Sequence, residues 1–283
     1  MKERPRLTEA TDDEQVISLW LQSKSHNSQL AYTRTVRAFL DFVEKPLADL
    51  TLDDLALWVK SLRMRYTTNS VKLKVSVIKS LFSYAWKVDY LEVNAAKVIP
   101  TPGGSDARHE RFLEQSEVRK LLAAASPGRD RCLLSLIYAT GLRASEALGI
   151  DWKDLKPRAQ GGQVTVRGKG GKVRTVLIGE SLWLSLQSLK GHPEASAVFV
   201  TSKGNRLDRH RLHRIIKATA ERAGVNPHVS AHWLRHAHAC HSLENGCDID
   251  VLMRSLGHSS LTVTSKYLHA RPNEGSSQFI EID

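Results

Sequence analysis

The chain has 283 residues and carries 41 Lys and Arg against 30 Asp and Glu, a formal net charge of +11. That length suits two domains with substantial cores, and the charge suits a polyanionic partner, with nucleic acid the default. Three scattered cysteines (Cys132, Cys240 and Cys247), a charged opening stretch, and no apolar run near the roughly 20 residues of a bilayer span argue against a disulfide framework, a signal segment and a membrane helix. The expectation is a soluble protein of a reducing compartment, with no membrane contact.

The first half reads as helices. "NSQLAYTRTVRAFLDFV" offers Ser28 as a cap and sets Tyr32, Val36, Phe39 and Leu40 at helical spacing. "TLDDLALWVKSL" has the capping pair Thr51 and Asp54, followed by Leu55, Val59 and Leu62. In "TTNSVKLKVSVIKSLFSYAWK" the apolar side is Val71, Val75, Ile78, Phe82 and Ala85, while Lys72, Ser76, Lys79 and Ser83 recur on another face. Such a stripe suits contact with a nucleic-acid backbone, or it is simply a solvated face. Lys72, Ser76 and Lys79, together with Arg34, are the DNA-contact candidates of this half.

Two prolines and two glycines in "KVIPTPGGSDARHERF" break the periodicity and mark a linker. The expected division is a helical domain over 12–97, a linker over 98–112, a second domain over 113–275 and a tail over 276–283. Beyond the linker, "LEQSEVRKLLAAAS" and "GRDRCLLSLIYATGLRASEALGI" read as helices, the latter broken at Thr140 and Gly141. "QVTVRGKGGKVRTVLI" alternates with period two around a glycine-rich turn, which predicts a hairpin, and "IDWKDL" could extend it into a small antiparallel sheet. The fold class is therefore mainly α, with a helical amino-terminal domain and a mostly helical second domain holding that sheet. Helices resume with "DRHRLHRIIKATAERAG", whose Arg209 and Arg211 are further DNA-contact candidates.

Four stretches carry candidate chemistry. Arg143 follows a glycine break and opens a helix, where the positive end of the helix dipole disfavours a cation unless an anion is near; that anion could be Glu146, three residues on, or a ligand. In "VSAHWLRHAHACHSLENG", Ser230 caps a helix that places His232 and Arg235 three apart in the first turn, where free N–H groups, an imidazole and an arginine fork suit an oxyanion. The i, i+4 pair His232 and His236 lacks the glutamate of a zinc-protease helix, and the chain has no CxxC pair, so no metal is expected. Lys169 and Lys172 share the hairpin turn, and spacing does not choose between them. Finally, Asp248 caps "IDVLMRSL", Gly257 ends it, and His258 follows in a loop ahead of the helix that bears Tyr267, either a core aromatic or a nucleophile.

"TGLRASE", "GKGGKVR", "HWLRH" and "LGHSSLTVTSKY", in this order, resemble the signature boxes of the tyrosine recombinase (phage integrase) family, most similarly its Xer-type members. The resemblance covers about Phe112 to Arg271; the amino-terminal helices are similar to the family's core-binding domain more loosely. It implies that Arg143 and Arg235 clamp the non-bridging oxygens of a scissile phosphate. It likewise implies Lys169 as general acid, His232 as the second-box histidine, His258 as the later histidine and Tyr267 as nucleophile. The activity implied is site-specific DNA cleavage and rejoining through a 3′-phosphotyrosine link, without cofactor. Its implied setting is a homotetramer, or an assembly with a related recombinase, on two double-stranded DNA sites at the cytoplasmic nucleoid. A type IB topoisomerase and a non-catalytic DNA-binding regulator on the same fold are the alternatives. The short tail "PNEGSSQFIEID" departs from the longer docking segment of many relatives, leaving cis docking, trans docking and disorder open.

Overall fold

The computed structural model describes residues 7–103, 113–168, 171–191, 195–257 and Thr264. The chain divides into two compact units, Met1–Asp106 and Ala107–Asp283.

The first unit holds α1 (Asp13–Gln22), α2 (His26–Val43), α3 (Leu52–Arg65) and α4 (Thr68–Lys87). α4 is its spine, packed against the other three helices and against a 3-10 turn at Ala95–Val98. Every apolar position predicted for α4 is buried, from Val71 through Val75, Ile78 and Phe82 to Ala85, and Trp20, Phe39 and Leu55 close over them. α3 starts with the expected reciprocal cap: Asp54 N–H donates to the Thr51 hydroxyl, and Asp54 Oδ2 accepts from Thr51 N–H at 3.0 Å. The cap of α2 differs from expectation. Ser25, in extended conformation, is the residue before the helix, and Ser28 lies inside the first turn with its hydroxyl 2.9 Å from that of Ser25. α1, which the periodicity did not reveal, begins where Asp12 accepts from Gln15 N–H at 2.9 Å. Past α4, Ile99 is buried in this unit's core.

The second unit runs α5 (Gln115–Ala124), α6 (Arg129–Thr140), α7 (Ala144–Leu148), β1 (Leu155–Pro157), β2 (Gly162–Arg167), β3 (Val173–Ile178), α8 (Glu180–Gln187), α9 (Arg209–Ala223), α10 (Ala231–Glu244) and α11 (Ile249–Leu256). Its sheet is antiparallel in the order β1-β2-β3: the β2–β3 pair forms as the hairpin pattern predicts, whereas β1 takes only Leu155 of "IDWKDL", because Trp152–Asp154 closes into a 3-10 turn. Leu155 lies opposite Val164 and Val164 opposite Val176. α6 is buried almost all round, with Leu133, Leu134, Leu136 and Ile137 inaccessible between α5, α8, α10 and β3. α8 went unforeseen: it is a short helix with one fully buried leucine, Leu186, and too few turns to show a period. A smaller cluster of Ala239, Cys240, Leu243, Leu252 and Leu256 joins α10 to α11.

Two glycines place the site. Gly141 ends α6 at φ +61°, and a Cβ there would come within 2.5 Å of His238 Cδ2 and 2.6 Å of Leu256 Cδ2. Gly257 ends α11 at φ +64°. Both adopt the left-handed conformation that only glycine reaches without cost.

Candidate active site

The turn at Gly141 delivers Arg143 to the start of α7, where Glu146 reaches back to it. Glu146 Oε2 accepts from Arg143 N–H at 2.8 Å, and Oε1 accepts from Arg143 Nη1 at 2.9 Å. The carboxylate thus supplies the anion that a cation at this helix end requires. From β3, Arg174 grips the same carboxylate with both terminal nitrogens, Nη1 to Oε1 at 2.9 Å and Nη2 to Oε2 at 2.8 Å. From α10, Arg235 brings Nη1 to 3.9 Å from Oε2, a charge contact too long for a hydrogen bond. One carboxylate shared among three guanidiniums cannot neutralise them all.

Burial pushes the Glu146 carboxyl up, but the Arg174 fork, the Arg143 N–H and the surrounding cations outweigh it and hold the group down at about 2. Arg143 keeps 39% of its side chain exposed, so this guanidinium can meet a ligand. Arg235 is buried; its Nη1 donates to Gly141 O at 2.5 Å and its Nη2 to Leu256 O at 2.8 Å, which ties the ends of α6 and α11 together.

His232 is exposed in the first turn of α10, its ring edge-on to the buried His236 with centroids 5.7 Å apart. Deeper along the helix, burial pushes His238 down to about 4; a hydrogen bond to the Tyr138 backbone opposes this, and the Arg235 and His241 charges add to it. Tyr138 Oη and His241 Nδ1 lie 2.9 Å apart, and burial pushes the Tyr138 phenol up. Among the described residues no group of three or more His, Cys, Asp or Glu is placed to hold a metal ion.

The structure therefore gathers Arg143 and Arg235 around Glu146 and sets His232 on the helix that carries Arg235. Lys169, His258 and Tyr267 lie outside the described residues, as does the tail with its aromatic and aliphatic positions. Lys172, the other turn lysine, is exposed, and its carbonyl accepts from Gly168 N–H at 2.7 Å where the hairpin closes. Of the DNA-contact candidates, Arg34, Lys72, Ser76, Arg209 and Arg211 are exposed. Lys79 is turned onto its own unit, donating to Ile99 O at 2.6 Å and Lys97 O at 3.3 Å. Sequence reading missed Arg174. A signal existed: Arg174 shares strand parity with the inward Val176 and Ile178, and an arginine on a strand's apolar face needs a partner.

Residues 111–274 match the model of the phage integrase family, more than half of the chain. The chain belongs to the phage integrase family. Residues 16–92 of this integrase-family chain also match the phage integrase N-terminal SAM-like domain. Tyrosine recombinase XerC of Pelobacter propionicus is 31% identical to it over 260 residues, covering 87% of this chain and 85% of that one. Tyrosine recombinase XerD of Mycobacterium tuberculosis is 36% identical over 208 residues, 67% of this chain and 66% of that one. Among solved structures, a lambda integrase dimer bound to a COC′ core site shares the fold with a TM-score of 0.75 at 19% identity, over 96% of this chain and 81% of that one. The XerH site-specific recombinase bound to palindromic difH substrate, a post-cleavage complex, gives 0.73 at 24% identity, over 93% and 83%.

Proposed function

We propose that this integrase-family chain is a site-specific DNA recombinase that cuts and rejoins DNA through a 3′-phosphotyrosine intermediate and exchanges strands between two sites. The observation that carries this reading is the shared Glu146, onto which guanidiniums from three separate elements converge, Arg143 half-exposed among them. A phosphodiester is an anion whose oxygens gain charge as a nucleophile attacks. Fixed guanidinium and imidazole donors therefore stabilise the transition state more than the ground state, each by about 3 kcal/mol.

In this reading the Tyr267 phenol oxygen attacks phosphorus while the bond to the 5′ oxygen breaks. His232 takes the phenol proton, and Lys169 supplies one to the departing oxygen, with Lys172 the alternative donor in the same turn. Arg143 and Arg235 hold the non-bridging oxygens, and His258 fills the family's later histidine position. The phosphotyrosine bond retains the energy of the broken linkage, so a second strand's 5′ hydroxyl can reverse the step without ATP. The cations and the acid–base pair supply the charge and proton transfers, and the reading assigns no cofactor. Double-stranded DNA is the partner, bound through the exposed Arg34, Lys72, Ser76, Arg209 and Arg211, whereas Lys79 is engaged by the carbonyls of Lys97 and Ile99. A homotetramer, or a mixed assembly with a related recombinase, works on two sites in the cytoplasm at the nucleoid.

Replacing Tyr267 with Phe is expected to leave DNA binding intact and to abolish the covalent adduct on a nicked suicide oligonucleotide. An adduct that persists in Tyr267→Phe would move the nucleophile elsewhere. Relaxation of supercoils at random sites, without site-specific joining, would make the chain a type IB topoisomerase, and specific binding with no cleavage a regulator.

A further inference from the structure

Arg174 has a role that the phosphate-clamping reading does not use. Its side chain is 13% exposed, and its guanidinium makes three directed bonds: two to the Glu146 carboxylate and one, from Nε, to Ser255 O at 2.8 Å. The strand residue itself is paired to Val166 across the hairpin. Ser255 belongs to the last turn of α11, where carbonyls lack intrahelical partners and carry the negative end of the helix dipole. Arg235 holds the next carbonyl, that of Leu256. Gly257 completes the fit, since a Cβ there would come within 3.1 Å of Arg174 Nη1 and 3.2 Å of its Cδ and Cζ. At the other side, a Cβ on Gly168 would lie 3.6 Å from Nη1 and 3.8 Å from Glu146 Oε1.

One side chain therefore joins three parts of the site. It fixes the strand leading out of the lysine-bearing turn, the carboxylate that orients Arg143, and the end of the helix that precedes His258. We propose that Arg174 is a positioning residue that holds the hairpin, the Arg143 guanidinium and the carboxyl end of α11 in one register. Cleavage rate, and not DNA affinity, then depends on its planar fork. The inference rests on the recombinase reading. Lysine cannot replace the fork, because an ammonium on a flexible stem cannot make two parallel bonds to a carboxylate and a third to a carbonyl. Misplacing reacting groups by about 1 Å costs on the order of 100-fold in rate.

The test uses the full chain on a suicide oligonucleotide carrying its recombination site, comparing wild type with Arg174→Lys and Arg174→Gln. Single-turnover adduct formation at saturating DNA is expected to fall about 100-fold in Arg174→Lys, with the dissociation constant for DNA unchanged. In Arg174→Gln the deficit is expected to deepen as pH falls from 8 to 5, because Glu146 without the fork takes up a proton and releases Arg143. The cations Arg143 and Arg235 still face that carboxylate in the variant, so the acid limb appears gradually. Wild-type rate in Arg174→Lys, a rate loss matched by lost affinity, a pH profile unchanged in Arg174→Gln, or loss of the folded state in both variants overturns the positioning role. Absence of a Tyr267-dependent adduct in the wild type overturns the recombinase reading itself, and the inference with it.

Discussion

Glu146 is charged in surroundings that, by burial alone, would favour its neutral form. Its side chain is 4% exposed, yet the Arg174 fork and the Arg143 N–H keep its carboxyl at about 2, below the ordinary 4.5. A carboxyl depressed in the folded state contributes stability that is complete above its unfolded value and is lost as pH falls through the folded one. Glu146→Gln is therefore expected to be less stable than wild type by about 3 kcal/mol at pH 7. That gap should close between pH 4.5 and 2, read from urea unfolding midpoints across pH. At this scale the sequence revealed half of the arrangement. The i, i+3 relation of Arg143 and Glu146 is written in the local spacing, and the ion pair is present at 2.9 Å. The Arg174 partnership spans strand and helix, and no local rule connects two residues whose separation is set by how β3 packs against α7.

At the scale of elements, the turn between α6 and α7 aims the first arginine. Gly141→Ala would place a methyl against His238 and Leu256 in a left-handed backbone conformation. The backbone cost alone is roughly 1–2 kcal/mol, and the contacts add to it. A melting temperature lowered by several degrees is expected, with cleavage reduced further because Leu142 and Arg143 move with the turn. Unchanged cleavage in a stably folded Gly141→Ala would show that the turn does not set the arginine. Elements were legible where a period or a cap is strong. The two paired strands of the hairpin, α4 and the Thr51 cap of α3 follow their patterns. α2 starts three residues earlier than its Ser28 signal suggests: Ser25, a residue type equally suited to the position, takes the extended conformation ahead of the helix, although its hydroxyl meets that of Ser28 and makes no capping bond. The caps of α10 and α11 sit at Ser230 and Asp248 as expected, although neither side chain makes the capping bond.

For the whole molecule, a net charge of +11 makes association with DNA an exchange of counterions for lysine and arginine. Affinity for the recombination site is expected to fall about 1,000-fold or more between 50 and 200 mM salt, while single-turnover cleavage at saturating DNA changes little, because Arg235 is buried and the Arg143 ion pair ends on the buried Glu146 carboxylate, where screening is weak. Filter binding and adduct kinetics at matched salt separate the two; a binding constant indifferent to salt would argue against backbone contacts as the main source of affinity.

The amino-acid sequence by itself determined the class of this protein: a basic chain with two helical domains, a hairpin in the second, and four ordered boxes that mark an integrase-family enzyme. These features are local, carried by periodicity, turn chemistry and short spacing, and so they survive without coordinates. Only the tertiary structure decided that the cations of three boxes are organised by one buried carboxylate, with Arg174 fastening strand, helix start and helix end. Such a pairing depends on distances through space between residues remote along the chain, which strand register and helix packing fix and no local pattern encodes.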